Sequence, residues 1–306
     1  ECNLRQCSPR PVGEITEFTF GVMVDRSLID LENEIKIIAK TELGETQEVR
    51  EQSLTELRAA IHEETKIQIP DDDTVLIMFL RASKFKVPEA VRKIKKYLRA
   101  RRNIPEYFDN LTPSDIPYHT VFNEHKLIKY AKERDSQGRA VGLVNFGAWS
   151  TSICSMDDLA RCVLVAVETA LQEDDVQVRG AVGIVDLKGF SPRHLAQLTP
   201  RFARRAITLT QDAMPIRIKG LYFINSPPMA ETLYNIVKSF LSKKLQERLH
   251  FIGSDLSPLC GVIPSELLPE DIGGTSEEFD LQRQENVLRG KASYFEKMLQ
   301  CSYIDN

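Results

Sequence analysis

Five histidines, at positions 62, 119, 125, 194 and 250, are the first place to look for acid–base or metal chemistry in this 306-residue chain. They are scattered. His119 and His125 lie six apart, which is not the spacing of a helical metal pair. His250 follows Arg248 in an apolar stretch and reads as a satisfied structural histidine. The six cysteines, at 2, 7, 154, 162, 260 and 301, form no CxxC or zinc-like pattern. Cys154 and Cys162 sit among apolar residues and read as small buried hydrophobes; Cys2 and Cys7 would pair only in an oxidising preparation. There is no GxSxG elbow, Walker A loop, HExxH helix or strand-following GxGxxG. Asp186 stands at the end of an apolar run, where an α/β sheet would hold a catalytic acid. No catalytic set and no metal site is therefore expected.

Two other patterns carry more chemistry. Between 81 and 102 stand Arg81, Lys84, Lys86, Arg92, Lys93, Lys95, Lys96, Arg99, Arg101 and Arg102 against the single acid Glu89. Arg217 and Lys219 come later, then Lys243, Lys244 and Arg248. Such clusters fit either solvated helix faces or a site for anionic membrane headgroups, whose phosphate oxygens match Arg and Lys donors. Lys243 and Lys244 also suit a helix C-terminus. The second pattern is apolar. Leu233, Ile236, Val237, Phe240 and Leu241 fall at i, i+3, i+4, i+7 and i+8, one continuous stripe.

These residues need elements to position them. The chain is 42% hydrophobic and 27% charged with net charge −4, an ordinary globular composition that disfavours a generic nucleic-acid binder. No apolar run approaches the roughly 18–20 residues of a membrane span, and no signal or transit segment stands out. Reduced cysteines fit a cytoplasmic chain. Residues 1–26 read as an irregular arm. Residues 27–118 read as a small helical domain, with helices over 27–66 split at Gly44, over Thr74–Ala82 behind an acidic cap, and over Val87–Arg102 with Pro88 in its first turn. Residues 119–276 then alternate strands at Ala140–Phe146, Ala181–Leu187, Leu221–Asn225 and Leu249–Ile252 with helices at Ser155–Gln172, His194–Leu209 and Met229–Leu245. That order implies βαβ units and a mostly parallel sheet. Residues 277–306 read as a closing helix.

The ordered motifs resemble one known family. Phe79-Leu80-Arg81-Ala82 with Lys84-Phe85, Gly183 through Phe190, Gln211-Asp212 through Pro215, Lys219-Gly220, Ile224-Asn225-Ser226-Pro227, Leu268-Pro269 and Gly273-Gly274 match the CRAL-TRIO pattern over roughly residues 50–275. Ser83 replaces its usual Arg. Within that family the chain is most similar to the tocopherol-transfer and retinaldehyde-binding subgroup. The resemblance implies an α/β/α sandwich enclosing an apolar cavity, behind a helical N-terminal domain. It makes Met229–Leu245 a lid, whereas the stripe alone fits an ordinary sheet-covering helix better. It reads Asp186 as the anchor of the following turn. Arg217, Lys219, Lys244 and Arg248 fall on the subgroup's basic, phosphoinositide-binding positions, and Gln246 is neutral where that subgroup can be basic.

The expected cargo contacts are Phe146, Val163, Val167, Ile184, Phe190, Phe223, Leu233, Ile236, Val237 and Phe240, each of which equally fits plain core. Burying about 400–500 Å² of apolar cargo would contribute about 10 kcal/mol before ordering costs. The function so implied is a non-enzymatic, monomeric carrier without cofactor. It would bind one tocopherol-, retinoid- or carotenoid-like lipid and exchange it in transient contact with phosphoinositide membranes. The alternatives are a phosphatidylinositol-transfer protein and a phosphoinositide-reading adaptor without cargo. On the lid reading, Phe240→Asp should abolish cargo retention.

Overall fold

The computed structural model describes residues 26–275 and 281–304. The expected arm and the Cys2–Cys7 pair therefore lie outside the described residues, except that Arg26 already begins a helix. Helix α1 (Arg26–Ile38) runs into a π-helical turn at Ala39–Leu43, and Gly44, at φ 76°, ends it before α2 (Gln47–Glu63). Glycine suits that left-handed position because it has no Cβ to clash. Strand β1 (Ile67–Gln68) leads to α3 (Asp73–Ala82), whose first turn is capped by the Asp72 carboxylate accepting from Thr74 N at 2.9 Å. Helix α4 (Val87–Asn103) buries Val91, Ile94, Tyr97 and Leu98, as its period predicts, and α5 (Pro105–Phe108) follows.

The sheet comes next. Strand β2 (Ile128–Tyr130) pairs antiparallel with β3 (Ala140–Asn145). Helix α6 (Met156–Ala170) starts in a capping box between Ser155 and Asp158, and α7 (Asp174–Arg179) feeds β4 (Ala181–Asp186). Helices α8 (Pro192–Gln197) and α9 (Pro200–Ile207) replace the single helix expected over His194–Leu209. Pro200 cannot continue a helix, and it restarts one as an N-terminal residue instead. Strand β5 (Ile218–Ile224), α10 (Pro228–Val237), α11 (Lys243–Gln246), β6 (Leu249–Phe251) and α12 (Ser257–Cys260) complete the unit. The five strands lie in the order β2-β3-β4-β5-β6, parallel from β3 onward. The C-terminal segment is two helices, α13 (Leu281–Arg289) and α14 (Ala292–Leu299), before β7 (Ser302–Tyr303) pairs with β1.

Two buried polar knots join the helical module to the sheet unit. Arg81, on α3, is almost wholly buried. Its Nε and Nη2 donate to the two oxygens of Glu45, both at 2.9 Å, and its Nη1 donates to Asp174 and Gln177 at 2.7 and 2.8 Å. In the second knot, Tyr97 on α4 and Tyr294 on α14 donate to the two oxygens of Glu168 on α6, at 2.8 and 3.2 Å, and Arg101 donates to Tyr97 at 3.0 Å. Burial pushes the Glu168 carboxyl up, opposed by Arg101 and the two hydroxyls. Several of the bases between 81 and 102 are thus structural rather than solvated: Arg81 and Arg101 are buried, and Lys95 and Lys96 pair with Glu64 and Asp212. Removing one partner of a buried ion pair strands the other. Arg81→Met should therefore lower stability by about 3 kcal/mol, read as a shift of the urea unfolding midpoint.

Candidate functional site

The sheet register places two kinds of residue on its two faces. On one face Val144, Val185, Phe223 and Phe251 form a transverse row; on the other, Leu143, Ile184 and Tyr222 form the adjacent row. The second face is solid core. Val182 and Ile184 are 1% exposed and Ile224 0%, packed against Leu259, Ile263, Leu268 and Ile272. The first face is apolar but unfilled: Val144, Val185, Phe223 and Phe251 are all only half-buried. Small residues make the room. Gly142 and Gly183, then Ala140 and Ala181, continue this face; a Cβ added at Gly142 would meet nothing within 4 Å, whereas at Gly183 the Leu221 side chain takes the space.

Aromatic side chains gather at the carboxyl ends of the strands. Phe146 lies 6.1 Å from Phe190 and 5.7 Å from Trp149, ring centre to ring centre, with the His194 ring 5.4 Å from Phe190. The His194 Nδ1 accepts from Ser191 N at 3.1 Å, so its Nε2 donates to the Trp149 carbonyl at 2.8 Å. Gly147 and Gly189 let the two loops meet backbone to backbone; Gly189 has φ 91°, and a Cβ on Gly147 would strike the Lys188 carbonyl. Asp186 accepts from Lys188 N and from the Asn225 amide, both at 2.8 Å, which ties the turns after β4 and β5 together. Phe223 stacks on Phe251 at 4.8 Å, and Tyr234 of α10 packs on Phe251 at 4.9 Å. Helix α10 therefore sits beside this face, over β6. On α6, Glu168 points to α4 while Val163 and Val167, four residues apart, stay half-buried.

Three expected cargo contacts are placed differently. Ile184 lies on the filled face; strand period two sends it opposite to Val185, which the sequence reading passed over. Ile236 and Phe240 are 65% and 69% exposed, so they point to solvent, while Leu233 and Val237 remain half-buried. The long helix expected over Met229–Leu245 is broken. It ends at Val237, tightens into a 3-10 turn at Lys238–Phe240, and restarts at Lys243 behind the Ser242 cap. The Gln246 amide donates to the Lys238 and Leu241 carbonyls at 2.9 and 2.8 Å, which gives this neutral residue a structural task at the break. Val185, Phe251 and Gly142 lie on the half-buried face and Tyr234 packs beside it, positions the sequence reading did not single out.

Arg217, Lys219, Lys244 and Arg248 do come together, with Lys84 beside them. Burial and then the charges of Arg248, Arg217, Lys84 and Lys219 hold the Lys244 ammonium below the usual lysine range. Burial and Arg217 likewise lower Arg248. Among the described residues Lys244 makes no ion pair. Within this positive cluster Arg217 and Lys219 both pair with Glu42. A separate cleft of about 400 Å³ lies between the end of α4 and β7, lined by Leu98, Arg101, Phe108 and Tyr303 among others. None of the expected cargo residues reaches it, and its lining includes Arg101, Arg102, Asp109 and Asn110, so it is a poor apolar site.

A helical module joined to a mostly parallel sheet, with one filled face, one half-accessible apolar face and a basic cluster nearby, defines the class as α/β. Residues 124–274 match the CRAL/TRIO domain. The mouse (Mus musculus) "alpha-tocopherol transfer protein-like" is 32% identical over 260 residues, 85% of this chain and 75% of that one. Clavesin-1 of Xenopus laevis is 30% identical over 252 residues, 82% of this chain and 76% of that one. The crystal structure of Sfh5 superposes with a TM-score of 0.54 at 16% identity, over 78% of this chain and 92% of that one, and so shares the fold. The chain belongs to the CRAL/TRIO family of lipid-binding and lipid-transfer proteins. Among the described residues, no helix is long and apolar enough to cross a membrane.

The two faces should respond differently to substitution. Ile184→Ala, on the filled face, should lower stability by about 2–4 kcal/mol in urea unfolding. Gly142→Val, on the unfilled face, should leave stability within about 0.5 kcal/mol while reducing the amount of lipid the protein carries.

Proposed function

We propose that this protein is a non-enzymatic carrier that holds one terpenoid-like lipid, of tocopherol, retinoid or carotenoid type, against the unfilled face of its sheet. The contrast between Val185 and Ile184, neighbours on one strand, carries the reading. Ile184 is sealed and Val185 is not, although both are apolar and both belong to a central strand. Burial of apolar surface is worth about 25 cal/mol per Å², so an apolar ligand that completes this half-accessible face gains most of its binding energy there. On this reading Phe146, Val163, Val167, Phe190, Phe223, Leu233 and Val237, with Val144, Val185 and Tyr234, line the cargo. Native extraction of the purified protein followed by mass spectrometry should yield one such lipid in stoichiometric amount. Phosphatidylinositol in its place would make the protein a phospholipid-transfer protein instead, and absence of any lipid from a freshly isolated, folded protein would contradict the carrier.

Delivery then takes place at anionic membranes. Arg217, Lys219, Lys244 and Arg248 receive phosphorylated headgroups, and α10 with its following turn is the lid. Its exposed residues, Ile236 and Phe240, stand ready to enter the lipid layer while Leu233 and Val237 face inward. Phe240 accordingly acts in docking rather than retention. Burying one Phe is worth about 1.5–3 kcal/mol, so Phe240→Asp should slow lipid transfer between vesicles by about tenfold or more and leave bound cargo unchanged. Loss of the cargo itself would return Phe240 to the lining.

A further inference from the structure

One acid stands inside the basic cluster. Glu42 comes from the π-helical turn between α1 and α2, far in sequence from the bases it meets. Its Oε2 lies 2.6 Å from Arg217 Nη2 and 3.1 Å from Lys219 Nζ. Burial alone would raise the Glu42 carboxyl; the hydrogen bonds and charges of Arg217 and Lys219 outweigh it and hold the group below its usual range. The turn that carries Glu42 is fixed on both sides. Ala39 and Leu43 are buried against Val178, and Gly44 closes the turn through its N–H to the Lys40 carbonyl at 3.0 Å. Neighbouring acids grip the rest of the body, Glu34 on Arg179 at 3.0 Å and Glu45 on Arg81. Glu42 is therefore held in place rather than drifting near a patch of opposite charge.

Its position is chemically specific. Arg217 spends another guanidinium nitrogen on the Val178 carbonyl, and Arg248 donates to the Ile218 carbonyl, so both guanidinium groups are oriented by backbone. Lys84 and Lys244 lack such partners among the described residues, and Lys244 faces the same cations. The cluster thus has one half whose charge is met by a carboxylate, Arg217 with Lys219, and one half left open.

We propose that Glu42 is a built-in competitor that sets how much charge a lipid headgroup must carry before it occupies the cluster. This rests on the reading of Arg217, Lys219, Lys244 and Arg248 as a headgroup site. A lipid with one negative charge offers Arg217 and Lys219 nothing that Glu42 does not already supply. A phosphate monoester brings about −1.5 to −2 charges and three acceptor oxygens, enough to take the two bases from a single carboxylate. Glu42 then sets an affinity threshold, which phosphorylated inositol headgroups clear and phosphatidylserine does not.

The test is binding of the full chain to otherwise identical phosphatidylcholine vesicles containing phosphatidylserine, a phosphatidylinositol monophosphate or a bisphosphate. The Glu42 side chain is 43% exposed, so Glu42→Gln keeps its volume and empties no core. Wild type should bind in the order of headgroup charge. Glu42→Gln should tighten binding by about 1.5- to fivefold, the range that exposed ion pairs span, and by at least as much on the bisphosphate as on phosphatidylserine. In an Arg217→Ala/Lys219→Ala background the same change should have no effect, because its partners are gone. Wild-type binding that follows headgroup charge, with no response to Glu42→Gln on any vesicle, would overturn the competitor while leaving the headgroup site intact. Binding of both proteins independent of headgroup would overturn the site and the competitor together.

Discussion

The alternation of side-chain size along β3 and β4 is the constraint on which the rest of this protein depends. Read along β4, Val182 and Ile184 point one way and Ala181, Gly183 and Val185 the other; β3 repeats the pattern with Val141 and Leu143 against Ala140, Gly142 and Val144. Large residues on one face interdigitate with the Leu259–Ile272 segment and close a dense core. The other face carries smaller residues and stays half-accessible, open at Gly142. A sheet two-sided in this way has spent its packing on one face and reserved the second for something else.

That reservation is tolerable because stability comes from elsewhere. Arg81 and Glu168, both buried, each gather groups from two other chain segments, so the helical module and the sheet unit hold together without the missing face. Buried polar knots of this kind are fully partnered or harmful, and these are partnered. The basic cluster follows a different logic. Its members repel one another and are steadied by backbone carbonyls and by Glu42, so the site is oriented before any anion arrives.

Much of the architecture was legible in the sequence because it rests on local signals. The Asp72 and Ser155 caps, Gly44 and the apolar runs of β3, β4 and β5 each announce themselves within a few residues. Signals that depend on the partner were not legible. Strand β2 is three residues long and owes its existence to pairing with β3. The stripe Leu233–Leu241 keeps helical spacing through a break that is made by Ser242 and Gln246, so periodicity alone ran past it. Ile184 and Val185 differ by a single position, and only the register of three strands decides which of them is sealed in the core. The meeting of Glu42 with Arg217 spans most of the sheet unit in sequence and left no local trace.

The most direct measurement is methyl NMR on the lipid-loaded protein with labelled Val and Ile, read as contacts between lipid protons and individual methyl groups. The account predicts contacts to Val144, Val185, Val163 and Val167 and none to Val182 or Ile184. Contacts to Ile184, or a lipid that touches neither face of the sheet, would contradict it.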